Sequence, residues 1–176
     1  MRMKLTLAGA ALLLALPLAA TPAMTAGGGG GGGGGEQCTG GKIWDKDKKK
    51  CVDPQKSNLE DIYGTGRDLA LAGRYDEAIL VLANVADSGD PRVLNYLGYS
   101  HRMSGRVTVG LGYYQEALRI DPGHTLVREY MGEAYLQLGL IDKAREQLVE
   151  IEKRCGSGCA EYAELSARIA DHVKGG

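Results

Sequence analysis

The sequence predicts an all-α fold, an α-solenoid of three helix pairs closed by one more helix and preceded by a flexible tether and a short cysteine-closed loop. Three observations predict it. The chain repeats itself at a constant offset of 34 residues, with Tyr96-Leu-Gly-Tyr aligned on Tyr130-Met-Gly-Glu and the register held as far as Gly158. From about residue 57 onward, apolar residues recur at three- and four-residue spacing, the period of a helix face. The chain has nine Tyr but no Phe and one Trp, so its core must come from Leu, Ala, Val and Ile, which suits closely packed helices.

The N-terminus reads MRMK, then LTLAGAALLLALPLAA, then TPAMTA. A cationic start, an apolar run and a stretch of small residues are the parts of a secretory signal peptide. The run is shorter than the roughly 20 residues of a membrane span, and no later segment is long and apolar enough to serve. Residues 1–26 are therefore expected to leave, by cleavage after Ala23 or Ala26, and the mature chain to be exported, periplasmic or secreted. Without Arg2 and Lys4 the formal charge of −1 becomes two units more negative, which gives no reason to expect nucleic acid as partner. Residues 27–37 begin with nine consecutive glycines. Such a run has no side chain to bury, so a tether is expected; a phosphate loop would need Lys and Ser/Thr between a strand and a helix.

Residues 38–56 carry two of the four cysteines and six lysines. An even number of cysteines in an exported chain favours disulfides. If Cys38 and Cys51 pair, the closed loop stabilises the fold by roughly 3 kcal/mol. The pattern Cys38-x-x-Gly41-x-x-Trp44-Asp45-(x)5-Cys51 resembles the last cysteine loop of peritrophin-type chitin-binding modules, although those use six cysteines. That resemblance implies sugar contact through Trp44; the simpler reading is a disulfide-closed knot ahead of the helices.

Repeats are expected over 59–90, 91–124 and 125–158, within a region of 57–158. The first holds Gly66, Leu69, Gly73, Ala78 and Leu82; the second, Leu97, Gly98, Gly105, Gly110, Tyr114 and Asp121-Pro122; the third, Met131, Gly132, Tyr135, Gly139, Ala144 and Leu148. These spacings resemble tetratricopeptide repeats (TPR), which have this period. The resemblance covers about 100 residues and implies two antiparallel helices per repeat, with neighbours burying what one pair leaves exposed. The first repeat is two residues short at its end, so a tight connection is expected there. Residues 159–176 carry Tyr162, Leu165, Ile169 and Val173 on one stripe, as a capping helix would. Cys155 and Cys159 straddle the turn before it. Cys155-Gly-x-x-Cys159-x-Glu-Tyr162 is similar to small exported bacterial TPR proteins, and a staple is expected, with a redox pair or a metal fragment as rival readings because a thiol at a helix N-terminus has a lowered pKa.

No catalytic constellation is present: His101, His124 and His172 are scattered, and Glu129 and Glu133 share a helix face as solvated or peptide-contacting carboxylates do. No enzyme activity, cofactor or metal is expected. The TPR resemblance implies a concave groove for a protein or peptide, lined by Tyr63, Arg67, Arg92, Asn95, Tyr99, Arg102, Glu129, Glu133 and Gln137, with Glu60, Ala70, Leu71, Met103, Leu126 and Leu136 at further groove places. The clamp by which chaperone-binding TPR domains hold a C-terminal carboxylate needs Lys, Asn and Arg where this chain has Tyr63, Arg67, Tyr96, Leu126 and Tyr130, so that ligand mode is not expected. An exported adaptor is the preferred reading, and an envelope- or carbohydrate-associated protein the alternative. The sequence names neither the partner nor the oligomeric state.

Overall fold

The computed structural model of the protein describes residues 38–45 and 47–175; the expected leader over 1–26 and the expected tether over 27–37 lie outside them. A two-stranded hairpin comes first, β1 (Ile43–Asp45) antiparallel to β2 (Lys50–Val52), with Ile43 opposite Val52. The Asp45 carboxylate closes its turn by accepting from the backbone N–H groups of Asp47 and Lys48 at 3.1 and 2.8 Å. Cys38 is bonded to Cys51, with Cα atoms 5.8 Å apart. Ile43 and Val52 are buried in the same core as the helices, and Arg74 Nη2 donates to the Cys38 carbonyl. The cysteine loop is thus no free-standing knot: its apolar strand face is packed on the first helix pair.

Seven α-helices follow: α1 (Leu59–Leu71), α2 (Tyr75–Leu82), α3 (Pro91–Met103), α4 (Val107–Ile120), α5 (Thr125–Gln137), α6 (Ile141–Cys155) and α7 (Ala160–Gly175). Local chemistry sets their ends. The Asn58 side chain accepts from the N–H of Asp61, and Asp90 from that of Arg92, capping α1 and α3; Pro91 occupies the first turn of α3, where its missing donor is no loss. Gly73 and its equivalents Gly105 and Gly139 have φ of +76°, +81° and +71°. That left-handed residue lets the next N–H reach back five residues, Arg74 to Leu69, Arg106 to His101 and Leu140 to Tyr135, each at 2.9 Å. One chain reversal is therefore built three times.

Each helix packs on the next, and α1, α3, α5 and α7 also stand side by side. The α3–α4 crossing is tight: a Cβ on Gly110 would stand 2.7 Å from the Gly98 carbonyl oxygen, and one on Gly98 would stand 2.5 Å from a Tyr114 ring carbon. In the third repeat the space over Gly132 is filled by Leu165 of α7, fully buried there. This is why the last helix docks where it does, and the Cys155–Cys159 bond ties it to α6. The first repeat ends differently. Its second helix stops after Leu82 and continues as a tighter 3-10 winding over Ala83–Ser88, then turns at Gly89 with φ +75°. This is how a repeat two residues short still delivers Asp90 to cap α3. Among the described residues no helix is long and apolar enough to cross a membrane.

Two glycines of α4 make the crossing testable. Ala is favoured over Gly in a helix by about 1 kcal/mol, and a Cβ at Gly112 meets nothing within 4 Å. Gly112→Ala is expected to raise the melting temperature, whereas Gly110→Ala is expected to lower it because its methyl meets backbone. Thermal unfolding followed by circular dichroism checks both; a stabilised Gly110→Ala would show that the crossing has slack.

Candidate functional site

Tyrosines from the first helices of successive repeats form a continuous row. Tyr63 of α1 stands 6.0 Å from Tyr96 of α3, Tyr96 is 6.2 Å from Tyr99, and Tyr99 is 5.0 Å from Tyr130 of α5, measured between ring centroids. The rings are tilted or edge-on, geometries worth about 0.5–1.5 kcal/mol each beyond area burial. Tyr96 is buried, and Tyr63, Tyr99 and Tyr130 are half-buried, each keeping part of its surface open.

Arg102 fixes the middle of this row. It is 4% exposed, its Nη2 lies 2.7 Å from Glu133 Oε2, and its Nε donates to the Tyr114 hydroxyl at 3.4 Å. Its guanidinium carbon sits 5.4 and 5.7 Å from the centroids of Tyr99 and Tyr130. Glu133 also lies 3.5 Å from Arg168 of α7. At the other end, Arg92 stacks on Tyr63 at 4.4 Å and pairs with Asp90 and Glu60, while Arg67 pairs with Asp68.

Glu129 has no such partner. It is 7% exposed, and no hydrogen bond or ion pair reaches its carboxylate among the described residues. Burial, reinforced by the negative charges of Glu133, Glu161 and Glu164, raises its pKa to about 7; Arg102 offsets this only in part. Asn95, at the equivalent place of the preceding repeat, is 1% exposed and its Oδ1 also lacks a donor.

The structure thus gathers Tyr63, Arg67, Arg92, Asn95, Tyr99, Arg102, Glu129 and Glu133 on one face; Gln137 is exposed at the end of α5. Three of these differ from open contact residues. Asn95, Arg102 and Glu129 are floor rather than wall, because side-by-side first helices close over their fifth and twelfth residues. The solvated reading of Glu129 fails for the same reason. Of the further groove places, Ala70 and Leu136 are buried, whereas Leu71 is 57% exposed. His124 is half-buried at the start of α5, and burial lowers its pKa. The sequence showed Tyr96 and Tyr130 only as departures from the carboxylate clamp; their 34-residue offset was the signal for a shared role. Glu161, Glu164 and Arg168 carried no such signal, since they lie off the apolar stripe of α7. Trp44 is half-buried on β1. Ligand atoms of Cys155, Cys159 and Glu161 lie within 4.8 Å of one another, but the sulfurs are bonded together and metal ligation needs thiolate.

A family model of the tetratricopeptide repeat matches residues 101–169. Over those residues the chain carries the tetratricopeptide-repeat pattern. No curated protein matches its sequence. Among solved structures, this chain is similar to the type III secretion chaperone SycD of Yersinia enterocolitica in complex with a peptide of the translocator YopD, at 22% identity and a TM-score of 0.57 over 66% of this chain and 90% of that one. It is similar also to PcrH, in complex with the chaperone-binding region of PopD, at 22% identity and a TM-score of 0.58 over 66% and 91%; a structure of PcrH from Pseudomonas aeruginosa matches as well. The first TPR domain of human RPAP3 aligns at 16% identity and a TM-score of 0.58 over 65% and 91%. At these identities the likeness establishes the fold, an all-α solenoid of paired helices.

The pKa of Glu129 sets a stability prediction. The folded carboxyl holds its proton up to about pH 7, the unfolded one only to its ordinary value of 4.5. Between those values the unfolded chain binds fewer protons, so rising pH destabilises the fold, and the loss is complete above the folded value. Glu129→Gln is expected to be more stable than the parent at pH 8, by on the order of 3 kcal/mol, and no more stable at pH 4.5. Urea unfolding at both pH values checks this; an equal gain at both would remove the charge from the explanation.

Proposed function

We propose that this protein is an exported adaptor that binds a protein segment in its concave groove and performs no chemistry of its own. The tyrosine row carries the reading. Tyrosines offer large, stiff contact area with few torsions to freeze, and together with Arg they are favoured at binding hot spots. Their partial exposure leaves a surface for a partner, whereas a row needed only for packing would be closed over. Solved TPR neighbours hold peptides: SycD a YopD peptide, and the first TPR of Spaghetti (RPAP3) an HSP90 peptide ending in EEVD. The cationic clamp expected for such an acidic tail is missing here, so the ligand is of another kind. The leader-like residues 1–26 and the two disulfides support export to an oxidising compartment.

Two measurements test this. Mass spectrometry of the protein recovered from the exported fraction is expected to find Met24 or Gly27 as the first residue; a retained Met1 would overturn export. The mature chain used as bait is expected to capture a partner that Tyr63→Ala and Tyr99→Ala variants capture about tenfold less well, the effect of losing one hot-spot contact. Undiminished capture by variants that keep their helical signal would place binding elsewhere.

A further inference from the structure

Two polar side chains lack partners at the same place in adjacent repeats: Asn95, 1% exposed, whose Oδ1 is buried without a donor, and Glu129, 7% exposed, whose carboxylate no hydrogen bond or ion pair reaches among the described residues. We propose that this end of the groove seats a cationic side chain of an extended peptide, a lysine or arginine held by Glu129. The proposal rests on the peptide-binding reading above and gives its ligand a charge.

The local charge balance supports it. Four carboxylates meet here, Glu129 and Glu133 from α5 and Glu161 and Glu164 from α7, all close enough to act on Glu129. Two cations answer them, and both are engaged: Arg102 by Glu133 and Tyr114, and Arg168 by Glu164 at 2.9 Å, with Glu133 at 3.5 Å. A carboxylate removed from water without a counterion is costly unless a charge arrives to pair with it. An incoming ammonium or guanidinium supplies that charge and several N–H donors, and its aliphatic stem has the exposed part of the tyrosine row to lie against. An acidic peptide meets repulsion instead. A divalent metal would need the carboxylates drawn closely together, and among the described residues the group with that spacing is at Cys155, Cys159 and Glu161.

The experiment uses the full mature chain and immobilised peptides with alternating Ala and Leu flanks, identical but for one central residue: Lys, Arg, acetyl-lysine, norleucine or Glu. Lys and Arg peptides are expected to be captured about tenfold better than the acetyl-lysine peptide, and Glu129→Gln to abolish that preference. Glu129→Gln removes an unpaired buried charge, so loss of fold is not the expected cause; its circular dichroism spectrum is recorded alongside. Capture without a charge preference, or a preference that survives Glu129→Gln, overturns the cation seat; if Tyr99→Ala then abolishes capture, the groove reading stands alone. A preference for the Glu peptide reverses the assigned polarity, and failure to capture any of the peptides overturns this proposal together with the groove reading beneath it.

Discussion

A guanidinium taken out of water, between two tyrosine faces, a tyrosine hydroxyl and one carboxylate, holds the centre of this molecule together. Arg102 starts on α3, bonds Tyr114 of α4, pairs with Glu133 of α5 and lies against Tyr130 of the same helix; through Glu133 it is coupled to Arg168 of α7. A buried charge is stabilising only while its partners stay in place, and losing one typically costs about 3–5 kcal/mol. Four helices are thereby held to one geometry by a single side chain. The same arrangement positions the tyrosine row, so that row and the core of the solenoid are one object. It also occupies the most central cation, which leaves the carboxylate of Glu129 without one.

Much of the fold was legible because repeats write the same local instruction several times. Gly73, Gly105 and Gly139 each end a first helix with the same backbone bond, and a residue needed for its left-handed φ has few substitutes. Gly98 and Gly110 read as repeat-motif residues, and both lie at the α3–α4 crossing. What periodicity could not supply was depth. The repeat frame assigns a residue to the concave side; how far neighbouring helices close over it depends on the sizes of the side chains around it. Asn95, Arg102 and Glu129 were therefore legible as groove residues and illegible as floor.

The last helix shows the other limit. Tyr162, Leu165 and Ile169 announced an apolar stripe, and Leu165 does fill the space over Gly132. The charges of α7 matter as much. Glu161, Glu164 and Arg168 look in sequence like any solvated helix face, yet docking brings them against Glu129 and Glu133 of α5. Contacts between elements separated by 30 residues follow from packing angle, which no local pattern records.

The cysteine-closed segments at the two ends have a consequence of their own. An α-solenoid has open faces at both termini, and an uncovered terminal helix pair is an apolar template on which another array can continue. Here the hairpin bonded at Cys38–Cys51 lies on the first helix pair, and α7, clasped at Cys155–Cys159, lies on the last. The stack is thus stopped at both ends, and its span of three repeats is bounded by the two segments that the bridges close.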